Sequence, residues 1–486
     1  MLSHAWLLLI PVHVDGADQA FQDPAPPVVH VLEPLAAPLA KAIPELKIHA
    51  APRALAADAI VEDWPSFLGP RRDGRCVEHP LATDFGAQGP TLLWEMQRAE
   101  GYASPVIAEG RLVFTQRAGD EVHVDCLEPD TGKRYWRYTY PCGYKGKYIE
   151  NSGPRATPAI ADGHVYIHGV DGVLFCLELE TGRLLWRRDT TREFKLDHGF
   201  FGIVASPLVV GDFLVQNVGA PGGPCVVAFR RDNGALAWGA GSMWGPSCAS
   251  PVLAHMHGEP RLFVITGGES RPPTGGLMVI DPEDGEVTCE YPFRSRTFTS
   301  VNGASPLICE ERVFLTAAYG VGSAVLDIDG SGAGTELWKK RRGLASEFST
   351  PVYEGGRVYA ISGVSGRTGA ITAIDPASGE ELAYEHMTLS AIFTEGEQEV
   401  EIETSVGAGS LLYADGVFLV LGDTGYLASV RVQEDKFQVT SEAALFHAPE
   451  TWTPPVISHG LLYICQNNPA SVGDEPARLL CYDLRK

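Results

Sequence analysis

Basic residues are scarce in this chain: 38 Lys and Arg stand against 61 Asp and Glu, a net charge of −23. Nucleic acids and anionic membrane surfaces recruit basic patches, so neither is expected as a partner. Long apolar runs are missing too. The run in the first twenty residues, Ala5–Val12, is too short to span a bilayer and has the length of a signal-peptide core, although no Lys or Arg precedes it. Residues 1–22 are therefore read as a candidate signal peptide, with export to the periplasm expected and a cytoplasmic protein as the alternative. Catalytic and metal signatures are thin: there is no H-E-x-x-H and no G-x-S-x-G, and Gly219–Pro224 and Thr274–Gly276 lack the Lys-Ser/Thr of a phosphate loop. No C-x-x-C pair occurs among the ten cysteines, so their spacing predicts no zinc site, redox pair or disulfide.

Glycine, by contrast, is abundant, with 53 residues against a usual share of about 7%. Much of it marks turns in a recurring unit whose clearest copy runs from Ala156 to Trp186. Pro158 opens an apolar run that Asp162-Gly163 breaks with hairpin-turn chemistry. A second turn at Asp171-Gly172 leads into Val173–Leu179, and Thr181-Gly182 turns the chain into Arg183–Trp186. Four short antiparallel strands result, too few to bury a face alone, so copies must stack. The anchor proline, preceded by Ser or Thr, recurs at Pro105, Pro207, Pro251, Pro306 and Pro351, weakly at Leu411, and finally at Pro455. Neighbouring anchors lie 44 to 60 residues apart, from Pro207 to Pro251 and from Pro351 to Leu411, a propeller-blade period. The repeats number eight, and the seventh, without its proline and its Thr-Gly-x-x-x-Trp turn, is expected to be the most irregular sheet.

These repeats resemble the pyrroloquinoline-quinone-type (PQQ-like) propeller family, whose pattern A-x-D-x-x-T-G is carried closely by Cys126–Gly132 and Ala373–Gly379. The resemblance implies an all-β, eight-bladed propeller of four-stranded antiparallel blades over residues 63–486. Before it, residues 23–62 read as a Pro/Ala-rich linker with a short helix near Pro52–Ile60. Leu92–Glu95 matches a fourth strand yet precedes the first anchor, whereas the last repeat ends at a third strand, so the N-terminal strand is expected to close the ring. Cys126, Cys176 and Cys481 share the column of Ala228 and Ala373, which predicts buried thiols rather than a framework.

Within such a family two functions are open. One is a non-catalytic binding or scaffolding module like the propeller of the outer-membrane assembly machinery (BamB), contacting a protein or cell-envelope polymer, monomeric and without cofactor. The alternative is a quinoprotein oxidoreductase holding PQQ with calcium, whose family pattern of adjacent cysteines is missing here. No cysteine stands next to the apolar run to serve as a lipoprotein acceptor. In a meander the first and third turns share one face, where they are short, and the other connections share the opposite face, where they are long: Arg137–Gly153, Arg187–Ile203, Gly267–Gly275, Glu385–Ala408 and Gln466–Glu475. Variable loops on a rigid scaffold build binding surfaces. Three positions before each anchor stand Tyr102, Val204, Cys248, Gly303 and Phe348, with Arg155 the lone charge of the column and Trp452 its last member. Arg155 is a candidate anion binder, or a structural partner of Glu150, Glu347 or Glu403. His198, Trp244, Asn302 and Glu347 belong to the same ring of connections and complete the candidate set with Arg155 and Trp452.

Overall fold

The computed structural model describes residues 28–29, 45–146, 151–268, 273–298, 300, 302–363, 369–395, 398–473 and 475–486. The candidate signal peptide lies outside them. Each repeat folds as the turn chemistry requires. In the second, Asp162 and Gly163 take φ of 48° and 72°, closing Ala159–Ala161 against His164–His168. Val173–Glu178 and Leu184–Asp189 follow as antiparallel neighbours. Eight such sheets make an eight-bladed propeller, and the one helix among the described residues is the five-residue Thr190–Phe194. The last blade has the order Thr91–Gln97, Arg478–Asp483, Leu461–Gln466, Val456–Ser458, with Trp94 paired to Cys481. The ring is thus closed by the N-terminal strand.

Two sets of contacts join neighbouring blades. On the outside, each tryptophan of a fourth strand reaches the third turn of the next blade. Trp136 donates to the Leu179 carbonyl at 2.9 Å, Trp186 to Arg231 at 2.9 Å, and Trp94 across the seam to Pro129 at 3.0 Å. The glycine of that turn is where the ring lands: a Cβ on Gly182, at φ +72°, would stand 2.6 Å from Trp136. The T-G-x-x-x-W pattern is therefore an inter-blade device, its Gly receiving the previous blade's Trp and its Trp meeting the next blade's Gly. The small-residue column lies under it: Cys126, Cys176 and Ala228 each pair with the tryptophan of their own blade and are fully buried. Eight of the ten thiols are buried, Cys248 and Cys289 being half-buried.

On the inside, the Ser or Thr before each anchor proline forms a chain of hydrogen bonds. The Ser104 amide donates to Thr157 Oγ1, Thr157 to Ser206 Oγ, Ser206 to Ser250 Oγ, Ser250 to Ser305 Oγ, and Ser305 to Thr350 Oγ1, all at 2.9 to 3.1 Å. Burial makes an unpaired amide expensive, so each hydroxyl secures the amide of the preceding blade. The chain stops at blade 7, where the Ser410 hydroxyl is buried without a protein partner. In blade 8 the column holds Pro454, which has no N–H to give.

Three expectations need correction. Residues 45–62 of the supposed linker lie along the propeller surface, half-buried or exposed: Leu46–Ile48 adds a fifth strand outside Thr91–Gln97, and Val28–Val29 pairs with Arg187 and Trp186 of blade 2. No helix forms at 52–60, which is irregular with a turn at Ala57-Asp58; Arg53 Nε holds Asp483 at 2.9 Å, tying the segment to the last strand. Blade 7 is regular rather than irregular, because Glu434 and Asp435, at φ 47° and 59°, replace the Thr-Gly turn with a tight two-residue reversal between Tyr426–Gln433 and Lys436–Ala444.

Candidate binding site

The segment from Trp64 to Cys76 closes the channel. A propeller's innermost strands turn unpaired edges toward the axis, and this segment supplies partners for several of them. Trp64 exchanges two backbone bonds with Ile107 of blade 1, and Ile160 of blade 2 donates to Pro65. Arg72, 4% exposed, donates from Nη1 to the Pro251 carbonyl at 2.7 Å and from Nη2 to that of Pro207. Arg75–Cys76 then runs parallel to Ser410–Ala414 of blade 7. Burial without a carboxylate pushes the Arg72 guanidinium down to about 9. The channel is consequently a cup.

The cup is a cavity of about 130 Å³ floored by Phe67 and Leu68. Its wall contains all eight residues that stand three positions before the anchors: Tyr102, Arg155, Val204, Cys248, Gly303, Phe348, Ala408 and Trp452. Each innermost strand runs from the long-loop face toward the Gly turns, which places this ring near the long-loop mouth. Aromatic rings form one arc. Trp452 lies between Tyr102, with centroids 5.4 Å apart and planes at 24°, and Phe348, at 5.1 Å and 41°. Beside the arc, the Arg155 guanidinium lies 5.5 Å from the Tyr102 ring and 5.9 Å from that of Phe201.

Arg155 is not paired with Glu347 or Glu403. Its Nη1 and Nη2 donate to the carbonyls of Gly153 at 3.1 Å and Asn151 at 2.8 Å, and burial lowers its pKa. Glu403 lies on the hairpin Thr388–Glu395 and Gln398–Ser405, opposite Ser390, and Glu347 accepts from the Tyr319 hydroxyl; Glu150 lies outside the described residues. Dipoles of short-range carbonyls thus hold the cation, no carboxylate among the described residues pairs with it directly, and Glu450 acts on it only at longer range. Behind the arc, Glu450 accepts from Tyr102 Oη and, at 3.3 Å, from Asn468 Nδ2. Burial and that carboxylate raise the Tyr102 phenol.

The other sequence candidates stand elsewhere. Asn302 braces loops, its Nδ2 donating to Thr266 and Phe293 carbonyls at 3.2 and 3.0 Å. Trp244 packs in the core between blades 3 and 4 with Met278. His198 lies in a separate groove with Tyr144, Lys145, Asp171 and Asp197, its Nε2 2.9 Å from Thr191 Oγ1 and 3.0 Å from the Asp171 carbonyl. Only Arg155 and Trp452 of the six come together in the cavity. Ser349 and Ser410 were missed; both line it, and like Trp452 Nε1 they carry buried polar atoms with no protein partner. The Ser/Thr column continues through Ser410 at repeat seven even though Leu411 replaces the anchor proline, and that continuity was the sequence signal for Ser410.

The architecture is that of an eight-bladed repeat propeller with a capped channel, a class shared by binding proteins and oxidoreductases. Within it, the chain belongs to the family described as outer membrane protein assembly factor BamB, whose model matches residues 82–242 and 222–486. It is 21% identical over 223 residues to the outer membrane protein assembly factor BamB of Yersinia pestis, across 45% of this chain and 48% of that protein. It is 29% identical over 164 residues to quinohemoprotein alcohol dehydrogenase ADH IIB of Pseudomonas putida, across 33% of this chain and 22% of that one. The chain thus spans about half or less of the length of these curated relatives. Among solved structures, a europium-containing methanol dehydrogenase superposes with a TM-score of 0.61 at 11% identity, covering 87% of this chain and 98% of that one. BamB from Moraxella catarrhalis superposes at 0.50 and 12%, covering 81% and 97%. At such identities the likeness is one of fold.

Proposed function

We propose that this chain is a non-catalytic binding module, exported and monomeric, that presents its long-loop face to a protein or cell-envelope polymer. The cavity wall carries the reading: it offers one cation, Arg155, with rings, hydroxyls, the Cys248 thiol and backbone, and neither a carboxylate nor an imidazole to act as base. The loop face also bears the hairpin Thr388–Ser405, on which Ile392 is 67% exposed. Among the described residues no helix is long and apolar enough to cross a membrane, and the Yersinia relative's name places that protein with the outer membrane.

The quinoprotein reading draws on the stretch that is 29% identical to an alcohol dehydrogenase. Pyrroloquinoline quinone is a planar tricarboxylic acid, and the arc of Tyr102, Trp452 and Phe348 suits its plane. The charges do not suit it. One guanidinium faces three carboxylates, and the wall supplies no carboxylate for a hard cation. Among the described residues no group of three or more His, Cys, Asp or Glu gathers elsewhere as a metal site. The residues present do not fit the cofactor with its calcium.

Titration with PQQ and Ca²⁺, followed by quinone absorbance and melting temperature, separates the readings. A ligand at 100 times its dissociation constant adds about 2.7 kcal/mol, so a stoichiometric shift overturns the scaffold reading. A photo-crosslinker at Ile392 is expected to capture the partner in cells, and one at Asp162 on the short-turn face is not. Equal capture from both faces removes the loop face from the proposal.

A further inference from the structure

Two blades of this propeller carry an added outer strand. Leu46–Ile48 lies outside Thr91–Gln97 of blade 8, and Val28–Val29 lies outside Leu184–Asp189 of blade 2, each antiparallel to its neighbour. Both additions share one register, counted from the fourth-strand tryptophan. Ile48 stands opposite Trp94 and Val29 opposite Trp186, while Lys47 and Val28 stand opposite the next residues, Glu95 and Arg187. In blade 8 that second pair is also an ion pair, with Lys47 Nζ 3.3 Å from Glu95 Oε1. A blade edge in this chain therefore accepts a strand that offers a β-branched residue at one position and, in blade 8, the opposite charge at the next.

Blade 5 presents the same edge, unpaired among the described residues. Its fourth strand, Gly334–Lys340, stands last in a four-stranded sheet, and Leu337-Trp338-Lys339-Lys340 matches Leu185-Trp186-Arg187-Arg188. The match extends to contacts. Lys340 Nζ donates to the Gly379 carbonyl at 2.7 Å, as Arg188 Nη1 does to that of Gly234 at 2.8 Å, each at the third turn of the next blade. Leu337 is 44% exposed. Arg341 and Arg342 follow, so four consecutive cations end the strand in a chain of net charge −23, and none of the four lies at ion-pair distance from a carboxylate among the described residues. Glu336 attracts Lys339 only at longer range and accepts from the Tyr291 hydroxyl. Lys339 and Arg341, two residues apart on one side of the strand, line a groove of about 220 Å³ with Arg294 and Arg296, and no carboxylate is among its lining residues. Cations on an outer strand also serve to repel wrong partners, but Arg187 and Arg188 occupy the matching positions in blade 2 and that edge is paired all the same.

We propose that the outer edge of blade 5 is a β-augmentation site for an extended acidic segment of a partner protein. The segment runs antiparallel to Gly334–Lys340 in the register of the two added strands. It places a β-branched residue opposite Trp338, an Asp or Glu opposite Lys339, and a second acid opposite Arg341. Backbone hydrogen bonds along the edge supply affinity, and alternate side chains supply choice. The edge lies on the rim of the ring, apart from the hairpin that bears Ile392, so the inference goes beyond the scaffold reading and its failure leaves that reading standing.

The test follows fluorescence anisotropy of a labelled peptide, Ser-Glu-Leu-Glu-Ile-Thr-Ser, titrated with the full chain. Saturable binding is expected, and a peptide with Lys in place of both Glu is expected to bind about 10-fold more weakly or worse. In an antiparallel strand the N–H groups of alternate residues point to the same side. Of two further peptides, one N-methylated on both Glu and the other on Leu and Thr, one is therefore expected to lose binding about 10-fold and the other to keep it. Lys339→Glu/Arg341→Glu changes only exposed side chains and is expected to reverse the preference to the Lys peptide. The proposal is overturned by no saturable binding, by a Lys peptide as tight as the Glu peptide, or by equal binding of the two methylated peptides, which would mark a charged patch rather than an edge. Unchanged binding of the Glu peptide to the double variant would move the site to another blade and overturn it too. A dimer of the free chain that the peptide dissociates would give the edge to a second copy instead.

Discussion

Arg72 Nη1 donates to the carbonyl of Pro251 at 2.7 Å, fixing the floor of the channel to the root of blade 4. Its other terminal nitrogen reaches Pro207 of blade 3. Hydrogen bonds from charged donors contribute about 1.5–3 kcal/mol, and loss of both also leaves two buried carbonyls unpaired. Arg72→Leu is expected to lower stability by about 2 kcal/mol or more, read as a fall in the urea midpoint at unchanged slope. Arg72→Lys keeps a charge but not the fork, and is expected to lose nearly as much. Wild-type stability in Arg72→Lys would mean that charge alone holds the floor.

The inner hydroxyl chain predicts a contrast between two serines. Ser250 Oγ receives the Ser206 amide at 2.9 Å, so Ser250→Ala is expected to cost about 1–3 kcal/mol by stranding a buried N–H. Ser410 Oγ is buried with no protein partner, and Ser410→Ala is expected to leave stability unchanged or raise it by up to about 1–3 kcal/mol. Thermal melts of the two variants check this, and equal losses would discount the chain as a stabilising device.

Two glycines share one dihedral and differ in surroundings. Gly163 and Gly182 both have φ +72°, but a Cβ on Gly163 meets nothing within 4 Å whereas one on Gly182 lies 2.6 Å from Trp136. Gly163→Ala is expected to cost about 1–2 kcal/mol from the left-handed backbone alone. Gly182→Ala adds about 1–3 kcal/mol of overpacking. Chemical denaturation of the pair isolates the value of tryptophan docking, and matching losses would deny it.

His168 predicts an acid limb. It is fully buried, with its ring Nε2 2.9 Å from Thr190 Oγ1, and desolvation lowers its pKa to about 4 from 6.5. Thr190 gives its own hydroxyl proton to the Gly172 carbonyl at 2.7 Å, so the imidazole is the donor and stays neutral. The unfolded chain takes up a proton below pH 6.5 and the folded one only near pH 4. Stability is therefore complete above pH 6.5 and falls as pH drops toward 4, by up to about 3 kcal/mol. Urea unfolding across that window is expected to show a shallower slope in His168→Phe; an unchanged slope would assign the acid limb to other groups.

What the sequence disclosed was whatever repeats. Anchor prolines, turn glycines and the spare strand at Leu92–Glu95 recur or complement one another, so blade number, ring closure and the small-residue column under the tryptophans were legible. The column three residues before the anchors was also legible as a ring, and it lines the cavity. The floor was not. Trp64–Cys76 occurs once, and its bonds join residues as distant as Arg72 and Pro251, a relation with no period to reveal it. Arg155 was singled out correctly as the lone charge of its column, but its partners were sought among carboxylates because sequence displays charges and hides carbonyl dipoles. Trp244 and Asn302 share the ring of connections in sequence and part company in space, one packed between blades and the other bracing loops.

Closure of the ring by Thr91–Gln97 has a consequence in time. The partner of that strand, Arg478–Asp483, is synthesised only after the seven blades that lie between them. At about 5–20 residues per second, Trp94 waits for Cys481 for roughly 20–80 s after it leaves the ribosome. Through that interval one edge of the strand has no native neighbour, and an unpaired edge is a template for wrong partners. Maturation is thus paced by translation of the blades in between, and holding the first strand apart until then falls to whatever escorts the nascent chain.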